Sequence, residues 1–255
     1  MGVHRDMQDK IVVITGASGG IGAALAETVA ARGASVALLA RRADALRAVA
    51  DRCAGRALPL VTDVTKRADV GRAVDETIGR FGHIDVWVNN AGQGVSRLPS
   101  ELTDEDVDAM VAANVKSVLY GMQAVLPHFK ARGRGHVINV SSMLGRIPFA
   151  VIRSAYSGAK HFMNALTQMF REEVQQTHPD IQFSIVSPGV VRTDFGVNAR
   201  NGGADSRTLP ATQSAEEVAV VIADVITSRK PDVYTRRGAK ERVAAFYSAI
   251  GEDPE

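Results

Sequence analysis

Cysteine is almost absent: Cys53 is the only one in 255 residues. No intrachain disulfide can form, and a reducing compartment is expected. Net charge is also small. Thirty basic residues stand against 28 acidic ones, which leaves +2 and argues against nucleic acid as the main partner. No long apolar run opens the chain. Met1 to Lys10 is charged, and the run Ile11 to Ile14 is too short for a signal or a membrane span. Gly2 is followed by Asp6 where a myristoylated chain needs Ser or Thr, so a lipid anchor is not expected either. Internal repeats, low-complexity tracts and linkers are missing too. The expectation is one domain over 1–255, cytoplasmic, binding neither nucleic acid nor membrane.

Hydrophobic residues are plentiful, at 45%, enough for a full core without disulfides or metal. Short Val/Ile/Leu runs alternate with helical patterns. The spacing predicts strands at 11–15, 35–40, 57–62, 84–88, 136–141, 182–187 and 233–235. Helices are predicted near 20–32, 42–53, 66–81, 104–131, 154–177 and 214–228. Such alternation reads as an α/β fold, a doubly wound parallel sheet with helices on both faces. Asp194 to Pro210 lacks an apolar period and is rich in Asn and Gly. It follows the sixth strand, so it is expected to hang over the carboxyl end of the sheet as a substrate lid.

Three patterns carry chemistry. The first is Thr15-Gly-Ala-Ser-Gly-Gly-Ile-Gly22, between the first strand and the first helix. Glycines there allow a tight turn and close backbone approach to a pyrophosphate at the positive end of the helix. The second is the end of the second strand, Val36-Ala-Leu-Leu-Ala-Arg-Arg42. No carboxylate is present to hold ribose hydroxyls. Arg41 and Arg42 instead stand where a 2′-phosphate would sit, which predicts NADP(H) over NAD(H). Asp63, ending the third strand, is read either as an adenine partner or as a turn cap.

The third pattern is Tyr156-Ser157-Gly158-Ala159-Lys160, with Ser142 fourteen residues before the tyrosine. Residues four apart share a helix face. A free phenol titrates near pH 10, and lowering that by about three units needs about 4 kcal/mol. One positive charge about 4 Å away supplies that much at an effective dielectric of about 20. Lys160 is thus a sufficient cause of a lowered Tyr156 pKa. The tuned phenol would exchange a proton with a carbonyl or alcohol oxygen, and Ser142 would donate a hydrogen bond to that oxygen.

These motifs, together with Asn89-Asn-Ala-Gly92, Asn114 and Pro188-Gly189, resemble in content and order a short-chain dehydrogenase/reductase. The resemblance spans roughly residues 8–235. It implies a Rossmann-type sheet of seven parallel strands and hydride exchange between NADP(H) and a carbonyl or alcohol. Tyr156 would be the general acid or base, and Lys160 would tune it and bind the nicotinamide ribose. Ser142 would orient the substrate oxygen, and Asn114 would hold a water linking Lys160 to solvent. The implied cofactor-binding set also includes Gly16, Ser18, Gly20, Ile21, Gly22, Asp63 and Val64. Asn90, Ala91 and Gly92 would sit beside the ribose and ring. Pro188, Gly189, Val191 and Thr193 would embrace the nicotinamide. Arg41 matches the basic position of NADP-using members.

The serine-to-tyrosine spacing is one residue longer than usual in that family, within Arg146 to Ala155, a segment expected to line the pocket. Gln93, Met143, Leu144, Ile147, Phe149, Val190 and Phe195 are expected there too, so a medium-sized, largely apolar carbonyl or alcohol is the expected substrate. Broad apolar stripes on the helices near 104–131 and 154–177 predict a homodimer or homotetramer. Arg236 to Ile250 reads as a basic helix facing solvent or another subunit. The alternative function is a non-catalytic NADP-binding sensor on the same fold.

Overall fold

The computed structural model describes residues 6–251; Gly2, at the excluded myristoylation site, lies outside that range. One seven-stranded sheet forms the centre. Its strands are β1 (Ile11–Thr15), β2 (Ser35–Ala40), β3 (Ala57–Val61), β4 (Val86–Asn89), β5 (Gly135–Val140), β6 (Ile181–Ser187) and β7 (Asp232–Tyr234). All neighbours pair in parallel, in the order β3-β2-β1-β4-β5-β6-β7. Parallel pairing needs a crossover between strands. The helices supply it: α1 (Gly20–Ala31), α2 (Ala43–Asp51), α3 (Arg67–Phe81), α4 (Asp104–Val111), α5 (Ser117–Arg132), α6 (Ser154–Gln175) and α7 (Ala215–Ser228). A last helix, α8 (Ala239–Ser248), follows β7.

The β-branched runs explain the layering. On β1, Val12 and Ile14 face a core shared with Leu25 and Val29 of α1, Leu46 of α2 and Val218 and Ile222 of α7. Val13 faces the opposite core, with Val70 of α3, Met122 and Phe129 of α5 and Met163 of α6. Successive side chains on a strand point to opposite faces, so a sheet covered on both sides needs apolar residues at every position.

One expected element splits. The helix predicted over 104–131 is interrupted by a π turn at Ala112–Lys116. Its start is fixed by a capping box in which Thr103 accepts from Asp106 N and the Asp106 carboxylate accepts from Thr103 N. The run Asp104–Arg132 is long and apolar enough to cross a membrane by composition. In the fold, Val118, Met122, Val125 and Phe129 are buried against the sheet instead.

A buried imidazole makes stability depend on pH. His136 on β5 is 1% exposed and its Nε2 lies 2.8 Å from Ser184 Oγ. Burial, reinforced by the Arg229 charge, pushes its pKa down from 6.5 to about 3. Below pH 6.5 the unfolded chain takes a proton that the folded chain refuses, so stability falls as pH drops through that window. Between pH 6.5 and 5 the loss from this group is about 2 kcal/mol. Urea unfolding of wild type and His136→Gln at both pH values should show the extra loss in wild type alone. Equal losses would refute it.

Candidate active site

The strand order reverses between β1 and β4, which opens a crevice at the carboxyl end of the sheet. The glycine loop turns there. Ala17 N donates to Leu39 O, tying the loop to β2. Gly16 has φ +68°, and a Cβ on it would lie 2.9 Å from Ala91 Cα. A Cβ on Gly22 would overlap Gly16 O and lie 2.6 Å from Asn90 Nδ2. Loop and helix therefore meet at a distance only glycine permits. Gly20, Ile21 and Gly22 begin α1, where backbone N–H groups and the helix dipole favour an anion.

Asn90 braces this loop. Its Nδ2 donates to Thr15 O at 2.9 Å, and the backbone N–H groups of Asn90 and Ala91 both donate to Thr15 Oγ1. The amide thus donates to the glycine loop's own carbonyls, Thr15 O and Gly16 O. Beside Ser18, the Arg42 Nη2 donates to both the carbonyl and the hydroxyl at 3.2 Å. Arg41 is exposed, and its side chain makes no hydrogen bond among the described residues. Asp63 acts as a turn cap: its Oδ1 accepts from Thr65 N and Thr65 Oγ1. Val64 packs on the core under α3.

The opposite wall is the loop after β6. Pro188 is buried and its carbonyl accepts from Met143 N at 2.8 Å. Arg236 lies alongside Gly189, and Val191 is buried in the α1/α7 core. Thr193 reaches the glycine loop, with its Cγ2 3.1 Å from where a Gly20 Cβ would stand.

Between these walls the four polar residues converge. Tyr156 and Lys160 are 7% and 3% exposed on α6. Lys160 Nζ donates to Val140 O at 2.8 Å. Asn114, inside the π turn, is fully buried; its Nδ2 donates to Gln93 O at 2.9 Å and its Oδ1 accepts from Gln93 N at 3.2 Å. A π turn shifts the helical register locally, a device common at functional sites. A Cβ on Gly92 would lie 2.8 Å from Asn114 Oδ1 and 3.7 Å from Lys160 Nζ. One side-chain-free position thus faces both groups.

The electrostatics correct one expectation. Burial pushes the Tyr156 phenol up to about 12, with the Ser142 hydroxyl and the Arg153 guanidinium opposing that rise. The Lys160 ammonium lies 5.7 Å from the ring centroid and donates to the Val140 carbonyl. Burial also brings the lysine down to about 8. Spacing put a cation on the right face but did not fix where its tip ends.

The expected pocket divides. Leu144 packs in one apolar cluster with Tyr156, and the Phe195 ring lies 5.4 Å from the Tyr156 ring. Gln93 stands beside Asn114 through its backbone. Met143 and Ile147 instead pack on Ala239, Val243 and Phe246, so they anchor α8. Phe149 is 47% exposed under the Arg242 guanidinium, and Val190 is 37% exposed at the rim. Ala239, Val243 and Phe246 give α8 a narrow inner stripe packed on its own subunit; the other residues of the helix are exposed, in keeping with the expectation of a helix that faces solvent or another subunit.

The segment 194–210 is irregular, as expected, and folds over the site. Arg200 N donates to Gly94 O and Ser96 N to Arg200 O, a strand-like bridge to the loop after β4. The Asp106 side chain, 1% exposed, lies 3.0 Å from Arg200 Nε and 2.9 Å from Arg97 Nε, and accepts from Asn201. The Arg200 bond leads the effects that hold its carboxyl below the usual range. Asp106→Asn should loosen this latch. Limited proteolysis within 194–210 should then be faster and the substrate KM higher, with kcat changed less. Unchanged cleavage and KM would refute the latch.

A family model described as short chain dehydrogenase matches residues 10–203. The chain belongs to this family. An uncharacterized oxidoreductase of Staphylococcus saprophyticus is 35% identical to this short-chain dehydrogenase over 192 residues, 75% of the chain and 78% of that relative. A short chain dehydrogenase from Burkholderia cenocepacia in complex with NADP aligns with a TM-score of 0.79 at 30% identity, over 92% of this chain and 99% of the other. A Burkholderia phymatum short chain dehydrogenase/reductase in complex with NAD aligns with a TM-score of 0.86 at 22% identity, covering 100% and 99%. The latter likeness speaks to the fold alone.

Two site residues of this dehydrogenase escape a motif search. Arg153 stands at the N-cap of α6, three residues before Tyr156, where no motif marks it. Asp106 was legible only as the fourth residue of a Thr-x-x-Asp cap; nothing local says that it also receives two arginines from distant loops.

Proposed function

We propose that this short-chain dehydrogenase interconverts a carbonyl and an alcohol with NADP(H), and that Tyr156 is the general acid or base. Family membership makes it an oxidoreductase with a nicotinamide nucleotide cofactor. The observation that carries the reading is the convergence of Ser142, Tyr156, Lys160 and Asn114 opposite a glycine loop whose shape excludes any side chain at Gly22. That loop, the N-terminus of α1 and the Arg42–Ser18 pair fit the phosphates of the cofactor, Arg41 adding charge. Thr193, Pro188 and Gly189 fit its other end. When bound, NADP(H) supplies or accepts the hydride.

This chain's own residues handle the proton and the oxygen. In reduction, Tyr156 gives its proton to the carbonyl oxygen as negative charge develops there. Ser142 stabilises that charge with a hydrogen bond, and Arg153 stabilises the phenolate left behind. Lys160, with Asn114 and a water between them, restores the proton. Leu144 and Phe195 exclude bulk water and favour an apolar substrate. The setting is cytoplasmic. Phe162 and Met169, 58% and 56% exposed on α6, support an assembly of two or four copies, which a light-scattering mass of 27.1 kDa would exclude. A turnover panel of carbonyls and alcohols with NADPH, NADP, NADH and NAD tests the reading: no turnover with any pair refutes it.

A further inference from the structure

We infer that Arg153 reads the substrate, binding a carboxylate carried close to the reacting carbonyl, so that the enzyme acts on oxo acids whose remainder is apolar. The inference rests on the role proposed for Tyr156 and names the substrate class of that same site.

Three arginines meet under the lid. Arg97 and Arg200 both pair with Asp106. Arg153 is half-buried, yet no carboxylate among the described residues pairs with it. Among the described residues its guanidinium makes one hydrogen bond, from Nη1 to Val95 O at 3.2 Å, and none from Nε or Nη2. An unpaired, half-desolvated cation beside a buried phenol is costly unless an anion completes it. A guanidinium edge with two free donors matches the two oxygens of a carboxylate.

The surroundings support the same ligand. Ser96 Oγ is buried and has no hydrogen-bond partner. A Cβ on Gly203 would lie 2.5 Å from Gly196 O and 2.8 Å from both Arg153 Nη2 and Ser96 Oγ, so the two groups pack together against the Gly203 backbone. Gly94, beneath it, is equally constrained: a Cβ there would lie 2.6 Å from Arg153 Nη1. The positive end of α6 begins at the next residue, Ser154, whose hydroxyl is also buried without a partner. Donors therefore gather at one end of the pocket, while Leu144 and the Phe195 ring line the approach to Tyr156. An apolar body with one anionic end fits both halves. The one-residue lengthening between Ser142 and Tyr156 falls in the segment that carries Arg153.

A purely structural or phenol-tuning Arg153 would alter every substrate alike; a carboxylate reader discriminates. Matched pairs separate the two: 2-oxo-4-phenylbutanoate and 4-oxo-4-phenylbutanoate, each against its methyl ester, with NADPH. Wild type should favour at least one acid over its ester by about 30-fold in kcat/KM. In Arg153→Leu the acid-to-ester ratio should fall to near one, whatever the absolute rates. Arg153→Lys, which keeps the charge without the fork, should retain an intermediate ratio and guards against misfolding of the leucine variant. Esters used as well as acids, or a ratio unmoved by both variants, would overturn the inference while leaving the proposed reaction intact. If neither member of any pair turned over, the reaction reading would be decided by the wider panel of carbonyls and alcohols. Thermal stabilisation of the NADPH-bound protein by acid over ester, and its loss in Arg153→Leu, would then decide the inference by itself.

Discussion

Tyr156→Phe should lower kcat by about 10²–10⁴-fold while leaving NADPH affinity nearly unchanged, because positioned proton transfer contributes about that much. The change removes one hydroxyl. The ring keeps its place in the cluster with Leu144 and its contact with Phe195. The glycine loop is braced by Asn90 and Thr15, none of which touches the phenol. Steady-state rates report the first half and fluorescence titration with NADPH the second. Turnover within about ten-fold of wild type would remove Tyr156 from the chemistry. The direction of catalysis adds a pH signature. Burial pushes the phenol up to about 12, so the acid form dominates at neutral pH and reduction should vary little there. Oxidation needs the phenolate, which Ser142 and Arg153 favour, and should rise with pH. A reduction rate that climbs steeply with pH would contradict the assignment.

Changing Arg41 and Arg42 together to alanine should cut kcat/KM for NADPH by about 10²-fold and leave the NADH value nearly untouched. Two charge-assisted hydrogen bonds contribute about 1.5–3 kcal/mol each at best, and both arginines are exposed, so solvent screening places the effect at the lower end. Arg42 should matter more. Its Nη2 already lies 3.2 Å from the Ser18 carbonyl and hydroxyl, so it is held at the mouth of the phosphate loop, whereas Arg41 has no such anchor. The control is wild type itself, which should use NADPH far better than NADH. Equal use of the two cofactors, or equal losses for both in the double variant, would sink the NADP(H) assignment.

Much of the fold was legible because its signals are local and repeated. Both cores need apolar residues at every strand position, so Ile11–Thr15 and Ser35–Ala40 stand out as unbroken runs. Helix ends were legible where chemistry marks them: Ser214 begins α7 with a capping box, and Gly82 ends α3 in the left-handed conformation. The break at Ala112–Lys116 was not, since Val107, Met110, Val111, Val115 and Val118 keep a helical period through it. A π turn is set by what Asn114 must reach, the Gln93 backbone, and not by local propensity. Met143 and Phe149 were misplaced for a similar reason. They precede Tyr156 in sequence, but α8 returns from the far end of the chain and covers that side.

The sequence by itself determined the layered parallel sheet, the phosphate loop and the helix face shared by Tyr156 and Lys160. Each depends on backbone geometry within a few residues, which residue type controls directly. The tertiary structure alone decided where the Lys160 tip ends and which carboxylate pairs with the arginines of the 97 and 200 loops. A long side chain ends several ångströms from its backbone, and its tip goes where burial and the nearest acceptor take it. Lys160 is captured by Val140 O, Asp106 gathers Arg97 and Arg200, and the Arg153 charge opposes the rise that burial imposes on the Tyr156 phenol.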